Sequence, residues 1–211
     1  MGKEIRKITT QIELRAEDED KDGVIEGYAL KFERWSEELG FFVRFKEIID
    51  KNALNEADMR DVLALFNHND NYPLARNTVS GDGPGALQLD VDGIGLKFRF
   101  VPTATSYGND LKESVRAGVI GKCSFAFEID PEDPGAEEIT YDEAEDMYKR
   151  RILKFKRIHD ISLVTSPAYE DTEAVLSARS KQKMDELKTP QRSAELEKLK
   201  LQNELMDLTT V

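Results

Sequence analysis

DVLALFNHND, running from Asp61 to Asp70, climbs through five apolar residues, Val62 to Phe66, and then stops on Asn67 and His68. A short apolar run bounded by polar residues reads as a buried strand. The chain holds only two histidines, and one of them stands where this strand ends. A core-held strand exit is where a side chain is both rigid and reachable. The stretch therefore points to a mainly β core with a candidate reactive group, His68, at its rim.

The flanking sequence extends the β reading. Upstream, KITTQIELRAE (7–17) and GVIEGYALKFE (23–33) both alternate, with the polar cluster DEDKDG (18–23) between them. That pattern predicts a hairpin or meander. EIIDKNALNEADMRD (47–61) has helical spacing, with Asp50 as its expected N-cap. Downstream, GDGPG (81–85) is a flexible connection, since no Lys-Ser/Thr follows to make it a phosphate loop. ALQLDVDGIGLKFRFVP (86–102) predicts two strands around Asp92-Gly93. NDLKESVRAGVI (109–120) predicts a short helix capped by Asn109 and ended by Gly118. GKCSFAFEID (121–130) is a strand, PEDPGAEEITYDEAEDMYKR (131–150) an exposed acidic loop or hairpin, and RILKFKRIHDISLVTSPAY (151–169) one long strand ending at Pro167.

From about Ser177 the composition changes. The segment loses its aromatics, carries leucines at 196, 199, 201, 205 and 208 at helical spacing, and is broken by Pro190. The expected organisation is a folded domain over 1–176 and a charged, Leu-rich helical tail or linker over 177–211. The tail is either a frayed amphipathic end or a docking helix for a partner.

Composition narrows the function. The 211 residues allow one ordinary domain plus an appendage. Acids outnumber bases 42 to 30, a net charge of −12, which repels nucleic-acid phosphates and anionic lipid. No apolar run approaches the roughly 20 residues of a membrane helix. The start lacks a signal-peptide core, and Arg6 stands where a myristoylation motif wants Ser or Thr. A single cysteine, Cys123, excludes an internal disulfide and fits a reducing compartment. We expect a cytosolic protein with no direct nucleic-acid or membrane partner. Two histidines and one cysteine, far apart, are a poor supply of metal ligands, so no metal and no cofactor is expected.

A base at His68 needs a nucleophile. Cys123 and Ser124 are adjacent, so on a strand they face opposite ways. Cys123 shares its face with Phe125, Phe127 and Ile129, the core side, while Ser124 shares its face with Ala126 and Glu128, the more open side. Pattern thus favours Ser124, with a cysteine nucleophile as the rival. A third group must orient the imidazole. His159 and Asp160 are the candidates, again adjacent and on opposite faces: His159 aligns with Phe155, Ile161 and Leu163, Asp160 with Ile158, Ser162 and Val164. Spacing alone leaves both open. An oxyanion hole leaves no side-chain signature, and AGVIG (117–121) is the candidate segment.

Taken in order, IEGYALKFE (25–33), FKEIIDKNAL (45–54), ALFNHND (64–70), GIGLKFRFVPTATSYGNDLKESVRAGVIGKCSFAFE (93–128) and HDISLVTSPAY (159–169) resemble the prohead proteases of tailed bacteriophages. The resemblance covers about residues 8–174. It departs slightly at Asn69, where many members have Asp after the histidine. The resemblance implies a herpesvirus-protease-like closed β-barrel with flanking helices. It implies a serine endopeptidase with His68 as base, Ser124 as nucleophile and Asp160 as third member, His159 remaining the alternative. It further implies action inside the immature capsid, in the cytoplasm of the infected bacterial host. Its partners there would be the major capsid protein with its scaffolding region, other internal prohead proteins, and further copies of itself through self-cleavage and self-association. The alternative is a non-catalytic capsid scaffold or assembly protein on the same frame.

Overall fold

The computed structural model describes residues 4–15, 23–40, 43–165 and 180–187. The N-terminal pattern forms β1 (Glu4–Arg15) and β2 (Val24–Lys31), paired antiparallel as the alternation predicts. β3 (Phe45–Ile49) follows, and then β4 (Leu63–Phe66) and β5 (Asn69–Arg76) make a second hairpin. β6 (Leu87–Val91) and β7 (Gly95–Phe100) flank a turn at Asp92, whose Oδ1 accepts from the N–H groups of Ile94 and Gly95. α1 (Ser106–Arg116) leads into β8 (Lys122–Glu128). β9 (Glu137–Asp142) and β10 (Met147–Ile152) form the acidic hairpin, and β11 (Arg157–Val164) is the last strand described. A second helix, α2, covers 180–187.

Among the described residues eight strands make one sheet in the order β5-β4-β11-β8-β1-β2-β7-β6. β11, last in the chain, lies between β4, which it pairs in parallel, and β8, which it pairs antiparallel. The main core fills one face of this sheet with Ile25, Leu30, Leu96, Phe98, Phe125 and Phe127. Phe155 packs edge-on against Phe127 at 4.8 Å between ring centroids, in the range where aromatic pairs attract. The remaining strands form a smaller sheet, β3-β10-β9. Arg150 of β10 is wholly buried there among Glu4, Glu47 and Glu137.

The architecture is α+β, mainly β, and it corrects several expectations. The expected closed barrel is not a continuous ladder. Among the described residues the edges β5 and β6 meet at one parallel bridge, Arg76 to Ala86, with Arg76 N–H donating to Gly85 O at 2.9 Å. Two register shifts interrupt the pairing of β5 with β4, and Pro73 brings no N–H to extend a ladder outward. The helix expected over 47–61 is a strand end followed by turns. Ile48, Ile49, Ala53 and Leu54 are buried, which imitates a helical face. Yet Glu47 to Ile49 pair with β10, and Asp50 Oδ1 caps a turn by accepting from Asn52 N–H at 2.9 Å.

The long strand expected over 151–167 is two strands. It breaks at 153–156, where Phe155 N–H donates to Ala53 O and the chain crosses from one sheet to the other. The helix α1 is present, but it starts earlier than expected. Thr105, not Asn109, is its N-cap, accepting from Gly108 N–H at 3.1 Å. Gly108 in the first turn is required sterically, because a Cβ there would lie 2.2 Å from Thr103 O. Gly118 ends the helix at φ +73°, as a C′ glycine does.

Within the segment expected to be tail, α2 packs on the smaller sheet. Met184 is buried against Phe45 and Tyr148, and the Tyr148 hydroxyl donates to Met184 O at 2.7 Å. The leucine stripe from Leu196 to Leu208, Pro190 and Pro167 lie outside the described residues.

Candidate active site

The β4-β5 hairpin turns on two residues, Asn67 and His68, between the paired Phe66 and Asn69. Their φ values are +51° and +55°. Positive φ at both central positions marks a type I′ turn, normally built with glycine at the second. A left-handed non-glycine residue costs about 1–2 kcal/mol, so the turn holds only if its surroundings fix it. β11 and the residue just beyond it, Thr165, supply the fixing groups. Asn67 N–H donates to Leu163 O at 3.0 Å, Thr165 N–H to Asn67 Oδ1 at 3.3 Å, and His68 N–H to Ser162 Oγ at 3.1 Å.

The turn aims the imidazole back across the sheet. His68 Nδ1 lies 2.6 Å from Asp160 Oδ1 and Nε2 lies 2.5 Å from Ser124 Oγ. A carboxylate only accepts, so Nδ1 carries the proton and Nε2 is left to accept from the Ser124 hydroxyl. Ser124 and Ser162 face each other in the ladder between β8 and β11, and Asp160 faces Ala126. The small side chains of Ser124 and Ala126 leave room for the imidazole between strands that are 92 and 56 residues away from it in sequence. Ser124 is fully buried and Asp160 is 1% exposed, so the more open side expected for Ser124 is in fact enclosed.

A family model described as caudovirus prohead serine protease matches residues 10–187. The chain belongs to this family. No curated protein and no solved structure matches it. Its family is one of serine peptidases acting in capsid maturation, which places this prohead protease inside the phage procapsid in the host. No helix among the described residues is long and apolar enough to cross a membrane. Among the same residues no group of three or more His, Cys, Asp or Glu is placed to hold a metal ion.

The two rival side chains of this prohead protease lie elsewhere. Cys123 faces the main core and is fully buried. Burial pushes its thiol up to about 12, far from the thiolate that a cysteine nucleophile needs. In native protein at pH 8, iodoacetamide is expected to leave Cys123 unmodified, and in urea to add one carbamidomethyl group. Intact mass distinguishes the two, and rapid native labelling would contradict this burial. His159 is out of register. β11 pairs Ile158 with Phe127 and Asp160 with Ala126, so His159 has no partner position on β8. This bulge puts Ile158 in the core, whereas simple alternation placed it on Asp160's face. His159 Nε2 instead lies 3.2 Å from Glu128 Oε1, outside the contacts of His68.

Of the residues singled out from sequence, the structure brings His68, Ser124 and Asp160 together and leaves Cys123 and His159 apart. AGVIG (117–121) joins α1 to β8, the strand that carries Ser124. Ser162, which sequence pattern alone does not single out, also touches His68 and Asp160. Its signal is the i, i+2 spacing from Asp160, which sets both on one strand face.

Proposed function

We propose that this prohead protease is a serine endopeptidase in which Ser124 is the nucleophile, His68 the general base and then acid, and Asp160 the group that holds His68. What carries the reading is the unbroken line from Asp160 Oδ1 through both ring nitrogens of His68 to Ser124 Oγ, at 2.6 and 2.5 Å. Ser124 Oγ attacks the scissile carbonyl carbon as its proton passes to Nε2. His68 returns that proton to the leaving amine as the C–N bond breaks, and the acyl group stays on Oγ. Water, deprotonated in turn by His68, hydrolyses the ester and frees Ser124. The Asp160 carboxylate keeps Nδ1 protonated and stabilises the imidazolium between these steps.

The substrates under this proposal are the scaffolding region of the major capsid protein, other internal prohead proteins and the protease itself, cut within the immature shell. The protease associates with itself there. Residues 1–176 form the catalytic unit, and 177–211, whose α2 packs on the smaller sheet, docks to scaffold or capsid protein. A fold like that of herpesvirus assembly proteases belongs to the same proposal, supported by an eight-stranded sheet whose edges approach at Arg76 and Ala86.

The test is co-expression with the capsid protein of the same phage, wild type against Ser124→Ala, read by intact mass. Cleavage of either chain in the wild type and none in the variant is the expected result. Cleavage that survives Ser124→Ala would remove Ser124 from its role. An assembled shell with no cleavage in either case would favour the scaffold alternative.

A further inference from the structure

The geometry points to Ser162 as the positioning residue that locks His68 to its own backbone, an inference that rests on His68 acting as the base. Ser162 is 1% exposed. Its Oγ accepts from His68 N–H at 3.1 Å and lies 3.0 Å from Asp160 Oδ1. An amide N–H can only donate and a carboxylate can only accept, so the direction of each bond is fixed. The single Ser162 proton goes to Asp160 Oδ1, the same oxygen that accepts from His68 Nδ1 at 2.6 Å.

The four groups close a ring. It runs from His68 N–H to Ser162 Oγ, through the Ser162 hydroxyl to Asp160 Oδ1, and back through Nδ1–H and the side chain of His68 to its own main chain. A closed ring fixes the imidazole relative to the left-handed turn that carries it, which an Asp160 contact alone does not do. The ring also explains the place of the serine. β11 sets Ser162 two residues beyond Asp160 on the same face, opposite Ser124. One strand thereby supplies the orienting acid and the clasp on the turn. An apolar residue at 162 would leave the His68 amide without its acceptor.

The experiment uses full-length protein and a fluorophosphonate probe. Ser124 Oγ attacks phosphorus, fluoride departs, and His68 takes the proton, so the rate of labelling reads the base without a known peptide substrate. Ser162→Ala is expected to slow labelling by about 10- to 100-fold, the scale of a base displaced by about 1 Å. Ser162→Thr, which keeps the hydroxyl on a β-branched side chain suited to a strand, is expected to stay within about threefold of wild type. The second readout is the proton spectrum of 15N-histidine-labelled protein, simple to assign because the chain has only His68 and His159. The far-downfield Nδ1–H resonance of His68 should shift and broaden in Ser162→Ala and return in Ser162→Thr. The His159 signals should stay fixed, which excludes general unfolding. An unchanged resonance with labelling within twofold of wild type would overturn the clasp while leaving the base reading intact. Labelling of Ser124→Ala at the wild-type rate would overturn both.

Discussion

Asp160→Asn is expected to slow peptide-bond hydrolysis by about 10^4-fold, while His159→Ala leaves it within about threefold of wild type. The argument is one of proton direction. Asparagine matches aspartate in shape, but its NH2 group can donate to His68 Nδ1 where the carboxylate only accepted. That choice moves the imidazole proton to Nε2, the nitrogen 2.5 Å from Ser124 Oγ, and a protonated nitrogen cannot take the serine proton. Loss of about four orders of magnitude is the scale of a wrong tautomer in a serine–histidine–acid site. His159 has no comparable lever: its Nε2 lies 3.2 Å from Glu128 Oε1, and it has no partner position on β8. Steady-state cleavage of capsid protein by the two variants, with folding checked by circular dichroism, decides the matter. A large loss in His159→Ala with Asp160→Asn near wild type would reverse the assignment.

That comparison also shows where sequence reasoning stopped. The β1-β2 and β6-β7 hairpins were legible because alternation and the Asp92-Gly93 turn are local signals. His68 was legible as the polar stop of an apolar run, and Ser124 as the small polar member of an otherwise aromatic strand. The choice between His159 and Asp160 was not legible, since neighbours on a strand always oppose each other and only the partner strand says which one faces inward. The bulge between Ile158 and Asp160 is a property of the pairing with β8, and nothing in RIHDISLV announces it. The false helix over 47–61 failed for a related reason. Its buried residues fit a period of 3.6, but the competing ladder to β10 is formed with residues about 100 positions later, and tertiary pairing overrides local propensity.

The second large effect is on stability. Arg150→Met is expected to destabilise the fold by about 3–5 kcal/mol, the cost of breaking a buried ion pair by removing one partner. Arg150 is wholly buried. Its Nε lies 2.7 Å from Glu137 Oε2, and Nη1 lies 2.8 Å from both Glu4 Oε2 and Glu47 Oε2. Burial alone would lower the guanidinium pKa, but the charges of Glu47, Glu4 and Glu137 outweigh it and raise the pKa above its usual value. Methionine fills a similar volume and leaves three carboxylates facing one another. Lys183, whose Nζ is 3.5 Å from Glu137 Oε1, is too far and too exposed to replace the lost charge. For a chain of this size the shift corresponds to a fall in Tm of about 6–20 °C, measurable by calorimetry. Adding Glu47→Gln to Arg150→Met should recover about 1–3 kcal/mol, because the second change removes a charge the first left unpaired. A Tm within 2 °C of wild type for Arg150→Met would show that the cluster contributes little.

The position of β11 has a consequence in time. The strand that carries Asp160 and Ser162 enters the middle of the sheet, between β4 and β8, although both neighbours leave the ribosome before it. A nascent chain that already exposes His68 and Ser124 therefore lacks the Asp160 carboxylate that His68 contacts and the groups that seat its turn. Non-local pairing of this kind forms late, after its loop-closure entropy is met. On the proposed assignment, until Val164 has been translated and threaded into place, the chain contains a nucleophile without its oriented base, and the proteins synthesised beside it are safe from it.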